Sequence, residues 1–193
     1  RKMKEEEILA LFQDIGVLNK GHFKLSSGRH SDTYLQCALL QQYPNLNNIV
    51  MNELALKVKQ FNPTVIVGAA IGGILASYEL ARLVGARGIF AERVDGNLKF
   101  RRGFDLIKDD KVIIVEDVVT TAKTTFELVD IVKEKGLEPK AIAAIVDRRE
   151  DPSSIAYPFF SAIKISIKTY EENECPLCKE GIPLDEPGSR RLK

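Results

Sequence analysis

Two adjacent carboxylates, Glu116 and Asp117, end the apolar run Val112-Ile113-Ile114-Val115. The segment Val118-Val119-Thr120-Thr121-Ala122-Lys123-Thr124-Thr125 follows, and Phe126 to Val132 then take up helical spacing. Each part has a chemical use. Carboxylates fixed at the C-terminal edge of a strand can accept hydrogen bonds from a sugar diol, and that edge is where open α/β sheets bind ligands. Threonine hydroxyls and backbone amides at a helix N-terminus form a cradle for phosphate. Diol acceptors beside a phosphate cradle suggest a ribose-5-phosphate ligand. The competing reading is a buried strand, a polar turn and a helix with no ligand.

Other segments carry groups suited to the same task. Gly68-Ala69-Ala70-Ile71-Gly72-Gly73 lies between a predicted strand and a predicted helix. Its glycines let backbone amides approach an anion, and the helix dipole favours negative charge there. No Gly-Lys-Ser/Thr ending follows, which disfavours an ATPase loop. From Ala91 to Phe104 the chain is polar and basic, with Arg93, Lys99, Arg101 and Arg102. Such a loop can close over a departing anion and exclude water, or it can be a solvated hairpin. Arg148, in Asp147-Arg148-Arg149-Glu150, can grip a carboxylate through two parallel hydrogen bonds, unless it pairs with Glu150 or Asp151. The turn Ser26-Ser27-Gly28-Arg29 offers its backbone to a ring or is an exposed hairpin turn. His30 reads as a lone surface histidine with no catalytic part. Cys175-Pro176-Leu177-Cys178 invites a metal reading. Tetrahedral zinc usually takes four N/S ligands, however, and no second cysteine pair exists while both histidines lie far upstream, so zinc is disfavoured.

These groups need a frame. Helical spacing covers Lys4 to Ile15, Ile49 to Phe61 and Ile74 to Val84. Strands are expected at Phe23 to Leu25, Thr33 to Cys37, Val65 to Val67, Gly88 to Ala91, Ala141 to Val146 and Ile163 to Ile167. Strands alternating with helices imply an α/β fold with a parallel sheet covered on both faces. The 193 residues favour one domain, and 45% apolar residues suffice for its core. A net charge of +1 gives no general field to draw in nucleic acid. No apolar run is long enough to span a bilayer. The charged start, from Arg1 to Glu7, lacks the apolar centre of a signal peptide, with Met3 as the expected first native residue. Three cysteines, an odd number, fit a reducing cytoplasm.

The stretch from Val112 to Thr125 resembles the phosphoribosyl-pyrophosphate motif of type I phosphoribosyltransferases. The hood sequence around Ser27-Gly28-Arg29 and the pair Asp147-Arg148 are most similar to those of orotate phosphoribosyltransferases, and the resemblance runs from hood to tail. It implies a parallel sheet flanked by helices with a small N-terminal hood: one domain over 1–193, with the hood at about 1–40, the core at about 41–170 and a tail at about 171–193. It implies transfer of phosphoribosyl from phosphoribosyl pyrophosphate to orotate, with Mg²⁺ held mainly by the substrate and no direct protein ligand. A homodimer is implied, the basic loop reaching the neighbouring subunit's site. Phosphoribosyl pyrophosphate would be held by Arg93, Glu116, Asp117, Val118, Val119, Thr120, Thr121, Ala122, Lys123 and Thr124. Gly68, Ala69, Gly72 and Gly73 would form the pyrophosphate loop. Thr120, Arg148, Ser27 and Gly28 would meet orotate, and Lys99 and Asp117 would act in catalysis. Three departures stand out. Ala122 replaces a usual glycine, so that the loop is expected to bind provided position 122 has negative φ, and lysines that some relatives carry at the positions of Ser26 and Gly72 are missing. A purine-type transferase and a phosphoribosyl-pyrophosphate-sensing regulator are the alternatives.

Overall fold

The structure, a computed structural model, describes residues 2–187. Helix α1 (Glu5–Asp14) opens the chain with three glutamates in its first turn, where the helix dipole favours negative charge. Strands β1 (Leu18–Lys24) and β2 (His30–Leu35) form an antiparallel hairpin with an irregular register between Lys20 and Phe23. Both start earlier than the spacing of apolar residues suggested, and in β1 the exposed residues Asn19, Lys20 and Gly21 break the alternation. Helix α2 (Ala38–Gln41) is one turn long. Helix α3 (Pro44–Val58) begins five residues before Ile49. Pro44 sits in its first turn, where a missing N–H costs nothing.

The core follows as β3 (Val65–Ala69), α4 (Gly72–Val84), β4 (Arg87–Val94), β5 (Asn97–Phe100), β6 (Val112–Val119), α5 (Lys123–Glu134), β7 (Ala141–Asp147) and β8 (Phe159–Lys164). A short helix, α6 (Pro176–Lys179), lies near the end. The six-stranded sheet has the order β5-β4-β3-β6-β7-β8, all parallel except β5, which runs back along β4. The stretch expected as a basic loop is therefore largely a hairpin, turning at Asp95-Gly96 with both residues at positive φ.

Strand side chains alternate between two cores. Ile66, Ile113, Val115, Ala143 and Ile145 pack with α1, α3 and α4. Val65, Val67, Val112, Ile114, Ile142 and Ala144 pack with α5. Burial on both faces explains why these strands read as unbroken apolar runs. Each fully buried Ile or Leu stabilises the fold by roughly 1.5–3 kcal/mol.

The sheet also sets the position of the site. From β3 the chain crosses through α4 to β4 on one side. From β6 it crosses through α5 to β7 on the other. β3 and β6 pair only along Val65–Val67 and Val112–Ile114, whereas β3 stays with β4 to Ala69 and β6 with β7 to Val119. The sheet splits beyond Val67 and Ile114, and a crevice opens at its switch point, where such folds bind ligands. The C-terminal segment returns to the hood. His30 and Tyr170 exchange backbone hydrogen bonds of 2.8 Å, and the Lys24 amide donates to the Asp185 carbonyl at 2.8 Å. The expected tail lies outside the described residues beyond Pro187.

Candidate active site

Glu116 and Asp117 stand on β6 at the split in the sheet. Burial pushes the Glu116 carboxyl up to about 7, partly offset by the Thr125 hydroxyl, which donates to it. Burial also raises Asp117, whose Oδ1 accepts from the Val118 amide at 2.9 Å. Across the crevice the glycine loop packs closely. A Cβ on Gly68 would lie 2.4 Å from the Gly73 carbonyl oxygen, and one on Gly72 would lie 2.3 Å from Asp117 Oδ2. A lysine at position 72 is incompatible with this placement of Asp117. Gly68, Ala69, Gly72 and Gly73 thus wall the carboxylate side of the crevice.

The turn into α5 forms the second wall. Ala122 is its N-cap residue at φ +63°, so the condition of a negative φ, on which the sequence reading makes binding by this loop depend, is not met. This conformation costs an L-residue roughly 1–2 kcal/mol, and it is what swings the chain from β6 into α5. The Ala122 carbonyl accepts from the Phe126 amide at 2.9 Å, and no side chain caps the helix. The first-turn amides, Lys123 and Thr124 among them, therefore have no intrahelical partner and suit an anion. Lys123 is exposed beside them. Val118 and Val119 point into opposite cores, so only their backbone can serve a ligand.

Thr120 and Thr121 also line a cavity of about 1160 Å³, together with Ser27 and Gly28 of the hood turn, Arg148 and Lys168. That volume exceeds the 300–1,000 Å³ or so of a typical small-molecule pocket, while Glu116, Asp117 and the loop from Gly68 to Gly73 do not line it. Gly28 holds φ +84°, so its turn requires glycine. Arg148 makes no ion pair with Glu150 or Asp151. Burial lowers its pKa from the ordinary value, and its Nε is buried with no partner among the described residues. The carboxylate next to it is already taken: Arg149 donates from Nε and Nη2 to Asp147, both at 3.0 Å, and lies 3.7 Å from the centroid of the Phe159 ring. Arg149 is a structural clamp, while Arg148 brings uncompensated positive charge to the cavity.

The basic hairpin is not part of this constellation within one chain. Arg93 donates to Glu127 at 2.7 and 3.0 Å, and Arg102 donates to Glu92 at 2.7 and 2.8 Å. Lys99 and Arg101 are exposed, and none of the four lines the cavity. Sequence reading also missed Thr125, whose signal was its place in the threonine-rich run, and His22, which stood alone in sequence. His30 is not a surface residue, being 1% exposed. Its ring meets His22 and Cys178, Cys175 meets His22, and the four ligand atoms lie within 4.8 Å of one another. Distance along the chain, which had spoken against a metal, is closed by the return of the tail to the hood.

Comparison with known proteins gives a consistent result. A family model described as "Phosphoribosyl transferase domain" matches residues 40–177. The orotate phosphoribosyltransferase of Caldanaerobacter subterraneus subsp. tengcongensis is 52% identical, over 98% of this chain and 100% of its own length. That of a Thermoanaerobacter species (strain X514) is 49% identical over the same shares. Among solved structures, orotate phosphoribosyltransferase from Aeropyrum pernix superposes with a TM-score of 0.67 at 20% identity, covering 82% of this chain and 93% of that one, a likeness of fold.

Proposed function

This chain belongs to the orotate phosphoribosyltransferase family, and on that premise we propose that it joins orotate to phosphoribosyl pyrophosphate, giving orotidine 5′-monophosphate and pyrophosphate in UMP synthesis. One observation carries the choice of base. The Arg148 guanidinium, whose Nε has no partner among the described residues, shares a cavity with the Ser27-Gly28 turn and Thr120. A guanidinium held this way suits the carboxylate of orotate, which purines lack.

The remaining groups suit the other substrate. Glu116 and Asp117 accept from the ribose hydroxyls. Thr120 to Thr124, with the first amides of α5, hold the 5′-phosphate, and the loop from Gly68 to Gly73 lies toward the pyrophosphate. As the C–O bond to pyrophosphate lengthens, positive charge develops at the anomeric carbon. Asp117 stabilises it, and positioning of the two substrates supplies much of the acceleration.

The donor set fits a Mg²⁺ ion carried mainly by the substrate. Glu116 and Asp117 present hard oxygens at the crevice without binding the ion directly, and burial raises both carboxyls from their ordinary values, so a cation carried nearby on the substrate favours their ionised forms. When bound, the ion neutralises the departing pyrophosphate. Lys99 and Arg101 complete that neutralisation from the hairpin of a second copy in a homodimer, Arg93 being held by Glu127 of its own chain. The hood, core and tail work as one domain, and three cysteines without a disulfide suit the cytoplasm.

Orotate absorbance followed in the presence of Mg²⁺ and phosphoribosyl pyrophosphate tests the reading, which expects turnover. Turnover with adenine, hypoxanthine or xanthine and none with orotate would overturn it.

A further inference from the structure

We propose that His22, His30, Cys175 and Cys178 bind one zinc ion that fastens the hood hairpin to the C-terminal segment. His22 lies on β1, His30 opens β2, and the two cysteines bracket the start of α6. The site is remote in role from phosphoribosyl transfer, and the proposal does not depend on which base the enzyme uses.

The geometry is that of a tetrahedral site with its centre left out. His22 Nε2 lies 3.2 Å from His30 Nδ1, 3.5 Å from Cys175 Sγ and 3.6 Å from Cys178 Sγ, and Cys178 Sγ lies 3.3 Å from His30 Nδ1. Zinc bonds of about 2.05 Å to nitrogen and 2.3 Å to sulfur, set at tetrahedral angles, place ligand atoms roughly 3.3 Å apart for N···N and 3.6 Å for N···S. Four of the six edges agree to within about 0.3 Å, close to the tolerance for a metal site, and the other two, from Cys175 Sγ to His30 Nδ1 and to Cys178 Sγ, are no longer than 4.8 Å.

Protonation points the same way. His22 Nδ1 lies 2.7 Å from the Ile182 carbonyl oxygen. A carbonyl only accepts, so Nδ1 carries the proton and Nε2 turns its lone pair on the cluster. This is the arrangement by which a backbone carbonyl fixes the tautomer of a metal-binding histidine. That lone pair faces one nitrogen and two sulfurs at once. A single thiol or imidazole proton can satisfy one of these contacts, whereas a cation at the centre satisfies all four ligands. His30 Nε2 is buried without a partner among the described residues, so the polar contacts of this ring are those with the cluster. His22, His30 and Cys175 are buried and Cys178 is exposed, which gives the ion a route in.

The consequence is mechanical. The turn Ser26 to Arg29 separates β1 from β2, and its Arg29 Nε donates to Thr169 Oγ1 at 2.9 Å. The cavity wall formed by the hood and by Lys168 and Thr169 is therefore built on the two segments the ion would join.

The test is elemental analysis of the full chain, expressed with zinc in the medium and purified without chelator, beside its Cys178→Ser and Cys37→Ser variants. Wild type and Cys37→Ser are expected to carry about one zinc per chain, and Cys178→Ser less than about a tenth of that. Cobalt added to the chelator-treated wild type is expected to give the intense visible absorption of a tetrahedral cobalt–thiolate centre, and chelator is expected to lower its Tm. A folded wild type without zinc that also fails to develop the cobalt spectrum overturns the proposal. So does full zinc retention by Cys178→Ser, or an intact mass showing Cys175 and Cys178 joined as a disulfide in freshly reduced preparations.

Discussion

The Asp117 carboxylate stands where a side chain on Gly72 would have to be: a Cβ built there would lie 2.3 Å from Oδ2. The missing side chain at position 72 is thus a condition for the acid, and two strands that part at the switch point bring the residues together. Gly72→Ala is expected to displace the carboxylate while leaving the fold intact. A misplacement of about 1 Å costs on the order of a hundredfold in rate, so kcat/KM is expected to fall by that order with an unchanged circular dichroism spectrum. Kinetics like those of the wild type would show that Asp117 is not needed at this position.

Arg148 has a different local cause. Arg149 holds Asp147, and Arg148 is left with its charge uncompensated and its pKa lowered by burial. Arg148→Ala is expected to raise KM for orotate far more than KM for phosphoribosyl pyrophosphate. Losing one partner of a hydrogen-bonded charge pair costs about 2–5 kcal/mol, roughly thirtyfold or more in kcat/KM for orotate. Steady-state kinetics with each substrate varied in turn checks it, and an unchanged KM for orotate would remove Arg148 from the pocket.

Glu116 links the site to stability. Burial raises its pKa from 4.5 to about 7. The folded chain therefore binds this proton more tightly than the unfolded chain does. The contribution is fully present below the unfolded value and is lost as pH rises through about 7. The shift corresponds to about 3 kcal/mol. Glu116→Gln removes the titration. The stability of the wild type relative to this variant is expected to fall by about that amount between roughly pH 4 and pH 8, read from denaturant midpoints. A difference that stays flat across that range would mean that Glu116 ionises freely in the folded state.

Much of this was legible in the sequence because the physics is local. Val112 to Val115 is apolar throughout because β6 is buried on both faces. The carboxylates and threonines after it fall at a strand end and a helix start, whose roles do not depend on distant residues. What was not legible depended on tertiary closure. The φ of Ala122 is imposed by the path from β6 into α5, against the preference of an alanine. His22 and His30 acquire partners only when residues 170–185 return along the hood. The pairing of Arg93 with Glu127 requires β4 and α5 to be neighbours, and spacing alone does not reveal that. The hairpin start at Leu18 was hidden because three exposed residues in a row, Asn19 to Gly21, interrupt the apolar alternation of β1.

Lys99 tests whether the site is complete in one chain. It is exposed on β5, outside the cavity of its own chain, and the proposal places it in a neighbour's site. Lys99→Ala and Arg148→Ala are each expected to be strongly impaired alone. In a two-fold dimer, random reassortment of the two variants makes about half of the dimers mixed, and one site in each mixed dimer carries both native side chains. Activity after mixing under dissociating conditions is therefore expected to recover to about a quarter of that of the wild type. A lysine acting within its own chain leaves every site of the mixture defective. No recovery, with mixed dimers demonstrated by native mass spectrometry, would place the Lys99 contribution in cis and require the hairpin to fold back over its own crevice.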